Sequence, residues 1–304
     1  GQRPDERGGV PMFGGTSTVA PEKAVLACSS AVREWDSNGT NFGYNPERNA
    51  TAGEFGHNDF YPVAVAAAQI AGADGRKTLV AMATLDEIRG RLAEVFALKN
   101  HKIDHVVHGA IASAAVYGAM LGATVDQIES AIGMIGAHAS PFPATRHGHQ
   151  LSDSKGASAA ISTEFAIQCM KRSMAGFIGP KDIFRNPEAI WCLMPRLMGK
   201  PVAKGCSPFE LVLSRAGKDF AVMGMHFKLG LYEHQSAGAL QGLIDLLGKH
   251  PDLLDDQPGD RISKIVVRAY EPAFGIIGDP HKRDPHTRQS ADHSMLFLLC
   301  TMLR

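Results

Sequence analysis

The chain has 304 residues, with 31 Lys and Arg against 31 Asp and Glu and no block of one sign, which argues against a nucleic-acid or membrane surface as its main partner. Gly, His or charge interrupts every apolar run short of the roughly 18 residues that a membrane span requires. The five cysteines are widely spaced without a C-x-x-C pair, which argues against an iron–sulfur or structural zinc site and fits reduced thiols in a cytoplasmic protein, as does the absence of a signal-peptide pattern.

Residues 1–18 have no hydrophobic period and read as an irregular lead-in. Pro21 suits a first helical turn, and Val25, Leu26, Cys28 and Val32 give an apolar face to a helix running to Trp35. Residues 36–56 are dense in Asn, Gly, Pro and Thr and predict a long loop, which in compact domains is commonly functional. Tyr61 to Ala71 is mostly Ala, Val and Ile, too apolar for an exposed face, and predicts a helix buried among others. From Leu79 to Leu98 the residues Leu79, Met82, Leu85, Ile88, Leu92 and Val95 recur at helical spacing with Asp86, Glu87, Arg89 and Arg91 between them, an ordinary amphipathic pattern.

A small-residue helix over Gly109–Leu121 follows, and then a helix to His138 opened by the capping-box residues Thr124 and Gln127. Beyond the Pro141-Phe142-Pro143 break lies a very polar stretch, Thr145 to Lys155, a loop that feeds a helix over Lys155–Ala175. Past Phe177 the character changes. Residues 178–220 hold Pro breaks around short helices, Ala221–Leu231 alternates as a strand would, and Glu233–Leu247 predicts a helix. Ile262–Ala269 predicts a second strand, Gly278–Gln289 a polar loop, and Ala291–Leu303 a last helix. The expected class is mainly α, with an all-helical domain over residues 1–222 and a smaller α+β domain over residues 223–304.

Thirteen histidines stand in this chain, several beside other ionisable residues. Neither H-E-x-x-H, G-x-G-x-x-G, a Walker A loop nor G-x-S-x-G occurs, so acid–base chemistry is the reading that remains. It needs a base that titrates near working pH, a proton donor for the leaving group, and cations for any carboxylates, roles that His, Lys and Arg fill. The candidates group as Asp36 with Thr40, His57 with Asp59, Asp104 with His105, the loop from Arg146 through His147 and His149 to Lys155, and Lys228 with His234.

Read together, Trp35-Asp36-Ser37-Asn38-Gly39-Thr40, His57, Glu87-Ile88-Arg89-Gly90-Arg91-Leu92, Asp104-His105-Val106, Ile111-Ala112-Ser113-Ala114-Ala115 and Ser154-Lys155-Gly156 come in an order that has a parallel. So do Phe177-Ile178-Gly179-Pro180 with Phe184, Phe227-Lys228 before His234-Gln235-Ser236, and Ser290-Ala291-Asp292-His293-Ser294. In these segments, spread over nearly the whole length, the chain resembles the 2-methylcitrate dehydratase family, MmgE/PrpD. The resemblance implies an all-helical domain joined to a smaller α+β lid domain, with the active site in the cleft between them.

The activity implied is that of a metal-free, cofactor-free lyase acting on small tricarboxylic acids. By the same resemblance, Asp36, His57, His105 and His234 are the expected catalytic residues. Thr40, Lys155 and Lys228 are expected on the same ground to bind substrate, Arg146 and His147 from their place in the polar loop, and the protein is expected to be a cytoplasmic homodimer. Family members are longer, so the first helices and the end of the lid are expected to lie outside this sequence. The family's usual H-P-S after the long loop is His57-Asn58-Asp59 here, which loosens any transfer of substrate specificity. Dehydration of 2-methylcitrate or a close analogue is the first expectation. Decarboxylation of cis-aconitate, epimerisation of a dicarboxylate, and tricarboxylate binding without turnover are the alternatives.

Overall fold

A computed structural model describes residues 9–35, 40–42, 54–55, 57–139, 141–146, 150–227, 230, 232–255, 262–271 and 273–304. The chain is mainly helical and falls into two compact units. The described residues of 9–35, 40–143 and 156–227 make the first, and those of 144–155 and 230–304 the second, which therefore includes the polar loop ahead of Lys155.

The first unit opens with a two-stranded antiparallel ladder of β1 (Val10–Pro11) and β2 (Thr18–Val19), followed by α1 (Pro21–Trp35). Strands β3 (Thr40–Phe42) and β4 (Glu54–Phe55) precede a 3-10 turn over His57–Phe60. Helices α2 (Tyr61–Ala71), α3 (Gly75–Val95), α4 (Val106–Met120), α5 (Val125–His138), α6 (Asp153–Met174, its first three residues belonging to the second unit) and α7 (Ile190–Leu197) follow, and β5 (His226–Phe227) closes the unit. β3 lies between β4 and β5 and is antiparallel to both, with Asn41 opposite Phe55 and Thr40 opposite Phe227.

Helix α2 packs against α1, α3 and α4, as its apolar sequence requires. Val63, Leu85, Leu92, Ile111, Ile135, Ile167 and Trp191 are buried in one continuous core, each large aliphatic contributing about 1.5–3 kcal/mol by leaving water. The capping box at the head of α5 forms as its sequence predicts. The Thr124 hydroxyl accepts from Gln127 N and the Gln127 amide oxygen accepts from Thr124 N. Close approaches rest on missing side chains: a Cβ at Gly133 would stand 1.7 Å from the Pro180 carbonyl oxygen.

Helix α3 departs from the amphipathic reading. Asp86, Glu87, Arg89 and Arg91 are buried, while Leu79 and Val80 are exposed. Glu87 and Arg91 are held inside by pairing with each other, with Glu94 and with the segment 214–221, and Asp86 accepts from the Tyr61 hydroxyl. Arg91 Nε donates to Glu87 at 2.9 Å and Nη1 to Glu94 at 2.9 Å, and Nη2 donates to the Asp219 carbonyl. Glu87 in turn accepts from Ser214 N at 2.7 Å and Ala221 N at 2.6 Å. Buried charge is stable only when its lone pairs and protons are met in this way.

The second unit has its own small core of Leu240, Leu243, Ala273, Ile277, Met295 and Leu299. It contains α8 (Ala237–Lys249), α9 (Arg288–Asp292) and α10 (Met295–Met302). Two expected strands need correction. Of the described residues in Ala221–Leu231, Ala221–Gly224 is a 3-10 turn and only His226–Phe227 pairs as strand; residues 262–271 have no strand partner among the described residues. The expected helix over Ala291–Leu303 is broken at His293 and Ser294, where α9 ends and Ser294 caps α10 by accepting from Phe297 N.

Candidate functional site

Thr40 sits at the first position of β3, directly opposite Phe227 at the last position of β5. Phe55, the last residue of β4, stands opposite Asn41. Because β3 runs antiparallel to both neighbours, one end of this sheet is where the chain enters at Thr40, leaves β4 toward His57 and leaves β5 toward Lys228. The start of β3 and the ends of β4 and β5, far apart in sequence, thus share one end of a small sheet. Lys228, Asp36 and His147 themselves lie outside the described residues, as do the side chains of Thr40 and His57.

The turn that carries His57 is anchored by the three residues that follow Asn58. Asp59 is buried with Arg33 Nε of α1 at 3.9 Å. Phe60 is buried beneath the Arg89 guanidinium, 4.6 Å from the ring centroid, an arrangement favoured by the ring's negative face. Gly109 of α4 makes room for that ring, since a Cβ there would lie 2.0 Å from Phe60 Cζ. Tyr61 donates its hydroxyl to Asp86 at 2.6 Å. Helices α1, α3 and α4 therefore fix the backbone at His57.

Burial pushes the Asp86 carboxyl up to about 7, while the Tyr61 hydrogen bond and the Arg89 charge pull it down. A folded-state value above the ordinary 3.8 means that the folded protein holds this proton more tightly than the unfolded chain does. The group's contribution therefore favours folding below about pH 4 and is lost as the pH rises toward 7. Asp86→Asn cannot ionise and keeps an acceptor for Tyr61. Its melting temperature is expected to gain on the parent's by several degrees as the pH is raised from 5 to 7.5; a difference that does not change with pH contradicts this account of Asp86.

His105 occupies the position just before α4, makes no side-chain capping hydrogen bond there, and is half-buried. Its Nδ1 lies 3.5 Å from Asp104 Oδ1, an ion pair when the ring is protonated. Asp104 is itself fixed, its N donating to the Pro141 carbonyl at 2.9 Å and its carboxylate accepting from Val106 N at 3.2 Å.

In the second unit, Arg146 ends a 3-10 turn over Pro143–Arg146 and is half-buried. The loop beyond it is laced to the segment between residues 284 and 290. Gln150 donates to the Asp284 carbonyl at 3.1 Å and accepts from His286 N at 2.8 Å, and Leu151 N donates to Ser290 Oγ at 2.8 Å. Thr287 closes the lacing by donating to the Leu151 carbonyl at 2.7 Å. This seam brings Lys155, in the first turn of α6, to His293, with Nζ 2.6 Å from Nε2. Lys155 is 4% exposed and His293 8%.

His234 opens a 3-10 turn over His234–Ser236 that leads into α8. Glu233 holds the turn by accepting from Gln235 N at 2.7 Å. Near it Lys282 is buried, and that burial lowers its pKa against the opposing charges of Glu233 and Asp279.

The structure thus joins Lys155 to a residue with no role in the sequence reading, His293. Its segment was visible in the sequence, but its partner lies 138 residues away. Among the described residues no group of three or more His, Cys, Asp or Glu is placed to hold a metal ion, and no helix is long and apolar enough to cross a membrane. The family model described as the MmgE/PrpD N-terminal domain matches residues 2–196, well over half of the chain.

Proposed function

The chain belongs to the MmgE/PrpD family, and on that premise we propose that it is a hydro-lyase that dehydrates 2-methylcitrate, or a close citrate analogue, to 2-methyl-cis-aconitate. The family suggests dehydratase-like chemistry. The observation that carries the finer reading is the shared end of β4, β3 and β5, from which the chain reaches Thr40, His57 and Lys228. The buried Lys155 adds a cation suited to a carboxylate.

In this reading the site uses no metal or other cofactor. Lys155 and Lys228 hold substrate carboxylates, with Arg146 and His147 lining the pocket. A proton next to a carboxylate leaves only if the developing enediolate is stabilised, which is the work of these cations. His57 or His105 takes the proton, Asp36 orients the imidazole, and Thr40 hydrogen-bonds the substrate. The C–H pair becomes the new C=C bond as the C–O bond breaks, and His234 protonates the departing hydroxide so that water leaves. The protein works as a cytoplasmic homodimer on a small tricarboxylate.

The ultraviolet absorbance of the conjugated alkene tests the base. Of His57→Ala and His105→Ala, the one that removes the base is expected to lower kcat at least about a hundredfold, the usual scale of general-base catalysis. Parental rates in both variants contradict the assignment.

A further inference from the structure

We propose that His293 is a positioning residue for Lys155, aiming its ammonium toward the substrate carboxylate. The inference rests on the reading of Lys155 as a carboxylate anchor.

An ammonium has three donors and no acceptor, so a contact of 2.6 Å between Lys155 Nζ and His293 Nε2 has the lysine donating into an imidazole lone pair. The ring that accepts at Nε2 is neutral and carries its proton on Nδ1. A protonated ring would have no lone pair to offer and would set two cations against each other in a buried place.

The fold fixes both partners before they meet. His293 follows α9, whose start is capped by Thr287 accepting from Ser290 N at 3.1 Å, and precedes Ser294, which caps α10. Ser290 and Thr287 also bind both backbone groups of Leu151, just ahead of the turn that carries Lys155. A lysine has a flexible four-carbon stem with many rotamers. Donation to a ring held between two capped helices selects one of them. A neutral acceptor does this without itself cancelling charge on the lysine, as a carboxylate in its place would.

Two substitutions separate this role from simple packing. His293→Phe keeps a ring without the acceptor, and His293→Gln replaces Nε2 with an amide oxygen that accepts from the lysine. With 2-methylcitrate, His293→Phe is expected to raise KM about tenfold or more, through the weakened hold on the carboxylate, and to lower kcat as well, because the same cation steadies the developing enediolate. His293→Gln is expected to restore KM to within about threefold of the parent. A loss confined to kcat, or parental kinetics in His293→Phe, overturns the proposal.

Nitrogen NMR of the histidine-labelled parent, with the His293 signals assigned by their loss in His293→Gln, gives a second readout that needs no turnover. The expected form is the neutral ring protonated at Nδ1, and a ring protonated at Nε2 overturns the pairing. If the parent turns over no tricarboxylate, the reading of the site falls, while the NMR result still decides the Lys155–His293 pair.

Discussion

Lys155→Met is expected to lower kcat/KM for 2-methylcitrate by about a hundredfold or more, the largest effect of any single substitution outside the acid and base. Methionine matches the stem of lysine and removes only the charge and its donors. A buried charge-assisted contact with a carboxylate contributes about 2–5 kcal/mol, and each 1.4 kcal/mol is tenfold in rate. Lys155 is buried, so no bulk water screens it as it would an exposed lysine. The change also strands His293 Nε2 without its donor, which costs about 1–3 kcal/mol and lowers the melting temperature by several degrees. Steady-state kinetics on protein shown to be folded by circular dichroism checks this. A kcat/KM within threefold of the parent removes Lys155 from the site.

Arg91→Met is expected to be the most destabilising single change, by about 3–5 kcal/mol, the cost of leaving a buried charge without its partner. Arg91 answers two carboxylates, the buried Glu87 and the half-buried Glu94, at 2.9 Å each. Without it the carboxylates repel one another, and Glu87 loses the cation that makes it a good acceptor for Ser214 N and Ala221 N. The segment from Ser214 to Ala221 should then open, and with it the approach to β5, which pairs with Thr40. Hydrogen exchange is expected to show lost protection at the Ser214 and Ala221 amides in Arg91→Met at temperatures where the rest of the helical unit stays protected. Retained protection there, or a melting temperature equal to the parent's, contradicts the account of this network.

What could be read from the sequence was what short-range pattern determines. Pro21 and Trp35 bound α1, the Ala-rich run gives α2 from Tyr61 to Ala71, and Thr124 with Gln127 starts α5, because caps and apolar periodicity act within a turn or two of their own residues. The expected strands failed for the opposite reason. A strand needs a neighbour, and alternation does not supply one. Ala221 N bonds to the Glu87 carboxylate rather than to another strand, and Ile265, Val266 and Val267 are all exposed, with no ladder partner among the described residues. The small sheet of β3, β4 and β5 escaped notice because its strands are two or three residues long, too short to show a period.

The same limit applies to the site. Asp104 beside His105 was legible because the two are adjacent in the chain. The buried charges of α3 were not, since a run of Asp, Glu and Arg looks solvent-facing until the carboxylates and guanidinium are seen to satisfy one another. Lys155 stood out as a cation in a polar loop, yet nothing local says that it is buried or that His293 meets it.

The most direct test of the central claim is proton NMR of the purified protein incubated separately with 2-methylcitrate, citrate and cis-aconitate. The account predicts that 2-methylcitrate is converted to its alkene with one water lost and no carbon dioxide released, faster than either other compound reacts. Release of carbon dioxide from cis-aconitate as the fastest reaction, inversion of a stereocentre without an alkene, or binding of all three without turnover would contradict it.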